Sequence, residues 1–381
     1  ASADPERYAE PVLDERDAAA MCYTTGTTGS PKGVLYSHRA LVLHTLGLSQ
    51  ADCMGICEAD VMMPVVPMFH ANAWGIAHTA PMVGAKIVNP GPLMDGASIY
   101  ELLDGEKVSM TAAVPTVWLM LLAYLEETGK KLPHLERVVI GGSACPRAMM
   151  EKFQNDYGVD VIHAWGMTEM SPIGTIGSLK PQYRDLTGTE KLDLQEKQGY
   201  APFGVEMKVT DDEDVEQPWD GKTFGRLKVR GLAIAKAYYG GAGEEQFDSD
   251  HWFDTGDVAH INDMGYMQIT DRAKDVIKSG GEWISTIDLE NLAVGHPDIQ
   301  EAAVIGITHP RWDERPLLIC IPKEGRNPSE SDVLEFMDGK IAKWWMPNAV
   351  AFVDEIPHTA TGKIQKIELR KQFSTYSFPD S

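Results

Sequence analysis

Residues 23–33 have the sequence YTTGTTGSPKG, the most informative segment of this chain. It begins where the apolar run Ala18–Tyr23 ends, and that run is typical of a short buried strand. Glycines let the backbone approach a ligand closely, and hydroxyls with backbone N–H groups can surround phosphate oxygens. The segment therefore predicts a phosphate-binding loop. It is not a Walker A loop, which would require Gly at Pro31 and Ser or Thr at Gly33.

Beyond this loop, helical and strand-like patterns alternate along the chain. Helical apolar spacing occurs at His38–Ser49, 116–127 and 146–157, and short apolar runs occur at Arg137–Ile140 and 159–164. This alternation predicts an α/β domain built on a sheet. From 201 to 229, strand-like runs are broken by Pro, Gly and an acidic turn, which indicates a smaller β-rich subdomain.

The C-terminal third has the pattern of a separate α+β unit. Helices are predicted at Thr286–Val294 and 331–344, and strands at 302–307, 317–321 and 349–353. We place the domain boundary at Asp271, which gives a large N-terminal domain at 1–270 and a small C-terminal domain at 271–381.

Composition excludes several function classes. The 381 residues include 34 Lys+Arg and 56 Asp+Glu, and the net charge of −22 disfavours nucleic acid and anionic lipid surfaces as partners. No apolar run approaches the ~18 residues that a membrane span needs, and no signal-peptide pattern is present. Five cysteines without paired spacing favour a reducing compartment over a disulfide framework or a zinc site. We expect a cytoplasmic protein.

Further motifs follow the loop in a fixed order: PMFH at 67–70, GGS at 141–143, AWGMTE at 164–169, DTGD at 254–257, DR at 271–272 and TGK at 361–363. Together they resemble the signatures of the adenylate-forming superfamily, which includes acyl-CoA synthetases, beetle luciferases and peptide-synthetase adenylation domains. The segments PMFHANAW and DVIKSGGEWIS are most similar to medium- and long-chain fatty acyl-CoA synthetases. The resemblance implies a large N-terminal α/β domain and a small mobile C-terminal lid domain.

The resemblance also implies a reaction. A carboxylate and ATP would give an acyl-AMP and pyrophosphate, and CoA would then displace AMP to give an acyl-CoA, as in fatty acid metabolism. ATP and CoA are the implied co-substrates and Mg²⁺ the implied cofactor. An aryl acid, a short or sulfur-bearing acid, and an inactive nucleotide-binding fragment stay open as alternatives. A luciferase or a peptide-synthetase domain is disfavoured.

Bringing a carboxylate to an anionic phosphate requires positive charge and a metal. The resemblance assigns catalysis to Lys363, Thr168 and Glu169, and metal binding to Thr24 and Glu169, whose oxygens suit Mg²⁺. Asp257 can accept hydrogen bonds from both ribose hydroxyls. A solvated acid at Glu169 and a turn-stabilising Asp257 are the alternatives. The residues expected to bind ATP or AMP are Thr24, Thr25, Gly26, Thr27, Thr28, Gly29, Lys32, Gly142, Ser143, His163, Ala164, Trp165, Gly166, Thr168, Asp257, Arg272, Lys274 and Lys278.

Trp165 stands where the superfamily usually has tyrosine, and either ring offers a flat face for adenine. By resemblance, the acyl and CoA channel is expected at His70, Trp74, Gly280, Gly281 and Trp283, although Trp74 could equally be a core residue. The small residues near His70 favour an aliphatic acid.

Asp271 is the expected hinge, because Lys32 and Lys363 lie far apart in the sequence yet must reach the same phosphates. Relatives carry a much longer segment before the phosphate loop than the 22 residues found here. We therefore expect part of the N-terminal domain to be missing and apolar edges to be exposed. In the full-length protein, a homodimer is possible.

Overall fold

The computed structural model describes residues 11–24, 31–272, 275–280, 282–358 and 364–378, and only the backbone of 282 and 283. The strands are β1 Ala18–Tyr23, β2 Gly33–Ser37, β3 Val61–Pro64, β4 Lys86–Ile87, β5 Met110–Ala113, β6 Arg137–Ile140, β7 Asp160–Gly166, β8 Ile173–Ile176, β9 Val205–Thr210, β10 Gly225–Gly231, β11 Phe253–Ile261, β12 Met267–Arg272, β13 Ile277–Ser279, β14 Glu282–Ile284, β15 Ile299–His309, β16 Asp313–Pro322 and β17 Ala349–Phe352. The helices are α1 His38–Ser49, α2 Ala71–Trp74, α3 Ile76–Val83, α4 Gly96–Gly105, α5 Pro115–Thr128, α6 Arg147–Tyr157, α7 Gly188–Gln195, α8 Thr286–Val294, α9 Glu330–Met337 and α10 Lys366–Gln372.

The largest sheet has the strand order β4-β3-β5-β6-β7-β8 and is parallel except for β8, which is antiparallel to β7. Its central strands are buried on both faces, as expected where helices cover a parallel sheet. One core contains Trp118 of α5 and Phe153 of α6, whose rings meet edge to face at 5.9 Å. The predicted α/β class is confirmed, and the carboxyl ends of β6 and β7 carry the predicted nucleotide-binding residues.

The region predicted to be β-rich, 201–229, contributes β9 and β10 to an antiparallel sheet with the order β12-β11-β10-β9, whose other two strands lie further along the chain. It shares a core with the hairpin of β1 and β2. The outer face of this hairpin leaves Met21, Tyr23 and Leu35 exposed.

The C-terminal α+β unit is built on the sheet order β14-β13-β16-β15, with β17 parallel to β16. Apolar cores cover both faces of this sheet. Serine side chains begin two of its helices: Ser285 accepts a hydrogen bond from the Asp288 N–H at α8, and Ser329 forms a reciprocal capping pair with Asp332 at α9.

Two features differ from the sequence-based expectation. The predicted helix at 331–344 is wrong beyond Met337, because Asp338 is extended and Gly339 has a φ of +73°. In addition, α2 is left-handed: Ala71, Asn72, Ala73 and Trp74 have φ between +46° and +55°.

Within the described residues, no helix is both long and apolar enough to cross a membrane.

Candidate active site

A cavity of about 270 Å³, hereafter the central cavity, brings together many of the predicted nucleotide-binding residues. From the N-terminal part it is lined by Gly142, Ser143, His163, Ala164, Trp165, Gly166, Asp257 and Arg272. Residues distant in sequence complete the wall, among them Glu301, His358, Ile364 and Lys366. Strand ends of the large sheet, the β-rich sheet and the C-terminal unit therefore meet at one cavity.

Asp257 is held by two neighbours in the cavity wall. Its carboxylate is 2% exposed, accepts a hydrogen bond from Trp165 Nε1 at Oδ2 over 3.2 Å, and pairs with Arg272 Nε at Oδ1 over 2.9 Å. Its backbone N–H donates to Thr255 Oγ1. The buried carboxylate of Asp257 is therefore oriented by two side chains from other strands.

His163 lies on β7 and is fully buried. Its Nδ1 is 3.1 Å from the carbonyl oxygen of Glu196, and burial lowers its pKa to about 4. The imidazole is therefore neutral at physiological pH. Gly142 has a φ of +84°, a conformation that favours glycine, at the end of β6.

A second group, the tyrosine-bridged cluster, consists of Lys32, Glu169, Tyr238 and Gln246. Tyr238 donates a hydrogen bond from its hydroxyl to Glu169 Oε1, and Lys32 Nζ lies 4.7 Å from the Tyr238 ring centroid. Lys32 Nζ also donates to Gln246 Oε1 over 2.6 Å. The phosphate-loop lysine and the predicted metal ligand thus contact the same tyrosine.

Thr168 and Thr24 are held through their backbones. Tyr36 donates its hydroxyl to the Thr168 carbonyl over 2.6 Å, and burial is the main cause that raises the Tyr36 pKa. The Thr24 N–H donates to the Lys32 carbonyl over 2.9 Å, and the Lys32 N–H donates to Thr24 Oγ1 over 3.3 Å. The base of the predicted phosphate loop is therefore closed by reciprocal bonds.

The surroundings of Glu169 are compatible with binding of a divalent cation. Its carboxylate is 4% exposed, yet it has no ion-pair partner within the described residues. Buried carboxylates are normally compensated by positive charge. In the same part of the chain, no group of three or more His, Cys, Asp or Glu side chains could hold a metal. A single carboxylate completed by phosphate oxygens and water is a common arrangement for Mg²⁺.

The predicted acyl side contains the left-handed segment at 71–75. Trp74 is 6% exposed, and its ring lies against Gly141, where an added Cβ would be 3.2 Å from Cη2. At Gly75, which has a φ of +78°, a Cβ would lie 2.7 Å from His44 Cε1. Burial, followed by the nearby His78, lowers the pKa of His44 to about 3, so this imidazole is neutral. His70, at the N-terminal end of α2, is partly buried.

The predicted hinge residue Asp271 is 2% exposed and anchors the start of α8. Its Oδ2 accepts hydrogen bonds from the N–H and the hydroxyl of Thr286, over 3.0 and 2.5 Å. Lys366 Nζ donates to the same hydroxyl and pairs with Glu290 over 2.7 Å.

Lys366 and Tyr238 were not predicted from the sequence as site residues. A tyrosine pair before a glycine-rich turn is the only sequence signal for Tyr238.

Other predicted residues lie apart or outside the described residues. Lys278 is exposed on β13, and its N–H donates to Glu314. Gly280 has a φ of +59° and packs against Trp312, whose carbonyl accepts its N–H over 3.0 Å. The remaining predicted site residues lie outside the residues that the structure describes: Thr25, Gly26, Thr27, Thr28, Gly29, Lys274, Gly281 and Lys363, together with the side chain of Trp283.

Comparisons with known proteins agree with this architecture. The family model described as AMP-binding enzyme matches residues 1–239, and the model described as AMP-binding enzyme C-terminal domain matches residues 288–363. ATP-bound MatB from Rhodopseudomonas palustris has a similar structure, with a TM-score of 0.81 and 28% identity over 97% of this chain and 70% of that protein.

Two curated relatives are similar over nearly the whole chain. A 3-methylmercaptopropionyl-CoA ligase from Ruegeria lacuscaerulensis is 52% identical over 363 residues, covering 95% of this chain and 67% of the relative. A medium-chain-fatty-acid–CoA ligase from Ectopseudomonas oleovorans is 49% identical over 368 residues, covering 97% of this chain and 67% of the relative.

Proposed function

Because the chain belongs to the AMP-binding enzyme family and is an AMP-forming acid–CoA ligase, we propose that the acid it activates is aliphatic, with a fatty acid as the first candidate. The acid carboxylate would attack the α-phosphorus of ATP, forming a phosphoric–carboxylic anhydride and releasing pyrophosphate. The CoA thiolate would then attack the acyl carbonyl, forming a thioester and releasing AMP.

The residues that line the central cavity support the adenylation step of this reaction. Trp165, Asp257 and Arg272 line it, and so does Ile364, which directly follows the predicted catalytic Lys363 in the sequence. We assign the ribose hydroxyls to the Asp257 carboxylate and the adenine to the face of Trp165. Lys363 would bring positive charge to the phosphate under attack, where one preorganised donor contributes about 10²–10³-fold in rate.

The tyrosine-bridged cluster is proposed to serve the phosphates. Lys32 would neutralise phosphate oxygens, and Glu169 would hold Mg²⁺ with Thr24 as the second predicted ligand. A bound Mg²⁺ would reduce the repulsion between the two reacting anions. Glu169 contributes a fixed carboxylate oxygen, because its Oε1 accepts from the Tyr238 hydroxyl.

An aliphatic acid is supported by the wall around Trp74. Ala71, Ala73 and Trp74 are buried there, and the neighbouring His44 is neutral, so these residues place no charge beside the acid's tail. A short sulfur-bearing acid is the second candidate, because the 3-methylmercaptopropionyl-CoA ligase is 52% identical. A thioether suits the same apolar surroundings as a methylene chain.

Pyrophosphate release tests the proposal. The assay would contain ATP and Mg²⁺, with and without CoA, and a panel of acids from propionate to palmitate plus 3-methylmercaptopropionate and benzoate. Release that peaks among fatty acids supports the first candidate, and a peak at 3-methylmercaptopropionate supports the second. Preference for benzoate would contradict the aliphatic assignment. The hinge at Asp271, the homodimer and the cytoplasmic location stay predictions.

A further inference from the structure

We propose that Tyr238 is a positioning residue that keeps the predicted metal ligand Glu169 and the phosphate-loop Lys32 apart while it contacts both. This inference rests on the proposed function, because it takes Glu169 and Lys32 to act on Mg²⁺ and ATP. Tyr238 is distant from both residues in sequence, and the inference is drawn from its contacts with them in the folded chain.

The Tyr238 ring is held rigidly. It is 5% exposed and meets Phe247 and Phe253 edge to face, with centroids 5.6 and 6.4 Å away. Its hydroxyl donates to Glu169 Oε1.

Lys32 contacts the ring of Tyr238, whereas Glu169 contacts its hydroxyl. Its ammonium lies 4.7 Å from the ring centroid, within the range of a cation–π contact, and donates to the neutral acceptor Gln246 Oε1 over 2.6 Å. Neither contact neutralises the lysine charge. The ammonium is therefore oriented and still charged when a phosphate arrives.

Gly243 shows that the packing over Lys32 is tight. Its φ is +66°, and an added Cβ would lie 2.4 Å from Lys32 Nζ and 3.1 Å from Tyr238 Cδ2. The positive φ favours glycine at this position of the turn between Tyr238 and Gln246.

The arrangement has a chemical consequence. A carboxylate and an ammonium close to each other in a partly buried site attract strongly, and a direct pair would use both charges. Tyr238 instead gives Glu169 a neutral donor and Lys32 a neutral ring face. Both charges stay available, one for a cation and the other for phosphate.

Calorimetric titration of ATP with Mg²⁺ and with EDTA tests the inference without turnover. In the wild type, we expect Mg²⁺ to tighten ATP binding. Tyr238→Phe keeps the ring and removes the donor, so this gain should fall about tenfold while binding in EDTA stays the same. Tyr238→Leu should also weaken binding in EDTA about fivefold, because the cation–π contact is lost. Tyr239→Phe is the matched control, since Tyr239 is an adjacent tyrosine that is 63% exposed.

The possible outcomes distinguish a failure of the Tyr238 role from a failure of the proposed metal site. An undiminished Mg²⁺ gain in Tyr238→Phe would overturn this inference alone. A wild type that binds ATP equally with and without Mg²⁺ would overturn the metal role of Glu169 and this inference with it. If Tyr238→Phe does not fold, Gln246→Glu replaces it. This variant places a carboxylate beside Lys32, so ATP binding in EDTA should weaken about tenfold, and unchanged binding would overturn the inference.

Discussion

The indole Nε1 of Trp165 donates a hydrogen bond to Oδ2 of Asp257 over 3.2 Å, although the two residues lie on different sheets. A tyrosine, the usual residue of the superfamily at this position, has no N–H to offer. Arg272 binds the other carboxylate oxygen, so the plane of the carboxylate is fixed from both sides. Trp165 therefore links the predicted adenine face to the predicted ribose acceptor.

Replacing Trp165 by Phe should weaken recognition of the ribose. Phe keeps a flat face and removes the N–H, so we expect kcat/KM for ATP to fall about tenfold, the scale of a hydrogen bond to a charged group. The preference for ATP over 2′-deoxyATP should shrink as well. Steady-state kinetics with both nucleotides measure this. An equal fall for both would mean that only packing was lost.

Lys363→Ala should separate the two half-reactions. Loss of one charge that stabilises the transition state should slow adenylation about 10²–10³-fold, while thioester formation from supplied acyl-AMP changes much less. Rapid-quench measurements of each step provide the comparison. An equal loss in both steps would remove Lys363 from its assigned role.

Glu169→Gln should change the metal requirement. Gln can still accept a hydrogen bond from Tyr238 but lacks the negative charge that a divalent cation needs. We expect the Mg²⁺ concentration for half-maximal pyrophosphate release to rise at least about tenfold. A Mg²⁺ titration identical to that of the wild type would exclude Glu169 from the metal site.

His44 should make folding stability depend on pH. Its pKa of about 3 in the folded state is below that of an unfolded histidine, so from pH 6.5 down to about 3 the unfolded chain binds the extra proton and stability falls. The buried Asp288 and Glu290, whose pKa values burial raises to about 6, act in the opposite direction, because their contribution is lost as pH rises through 6.

The difference between the wild type and His44→Gln isolates the histidine. Gln can accept the Ile173 N–H, which His44 Nε2 accepts over 3.2 Å, but does not titrate. Urea unfolding at several pH values should show a slope that is smaller by up to about 1.4 kcal/mol per pH unit in the variant between pH 3 and 6.5. Parallel curves would contradict the assignment.

Gly75→Ala should destabilise the fold by about 2–3 kcal/mol, because the new methyl group would overlap the His44 ring at a positive φ. Gly129→Ala is a matched control: Gly129 has a φ of +67°, but its Cβ position is open, so only the backbone cost of about 1 kcal/mol is expected. Equal losses in urea unfolding would show that contact with His44 does not matter.

Local signals predicted much of the fold. The bounds of β1, α1 and α8 agree with the sequence, because a strand ending in a Gly/Thr loop and serine caps at Ser37 and Ser285 mark them. The helix at 331–344 was extended too far, since its apolar spacing continues past the break at Asp338 and Gly339.

The site was only partly predictable, for a different reason. Motifs located the residues around the central cavity, but Tyr238 contacts Glu169 across 69 positions of sequence, and no local pattern encodes that pairing. The left-handed turn at 71–74 was equally hidden. Four consecutive non-glycine residues adopt it against their own preference, so tertiary packing must impose it.

This turn also limits how the enzyme could diversify. Val, Ile and Thr are strongly disfavoured at positive φ, and Gly75 has no room for any side chain, so few mutations between 71 and 75 are accessible. Drift or selection for a new acid must therefore act through other positions. Laboratory evolution of substrate range should accordingly recover its changes outside this segment.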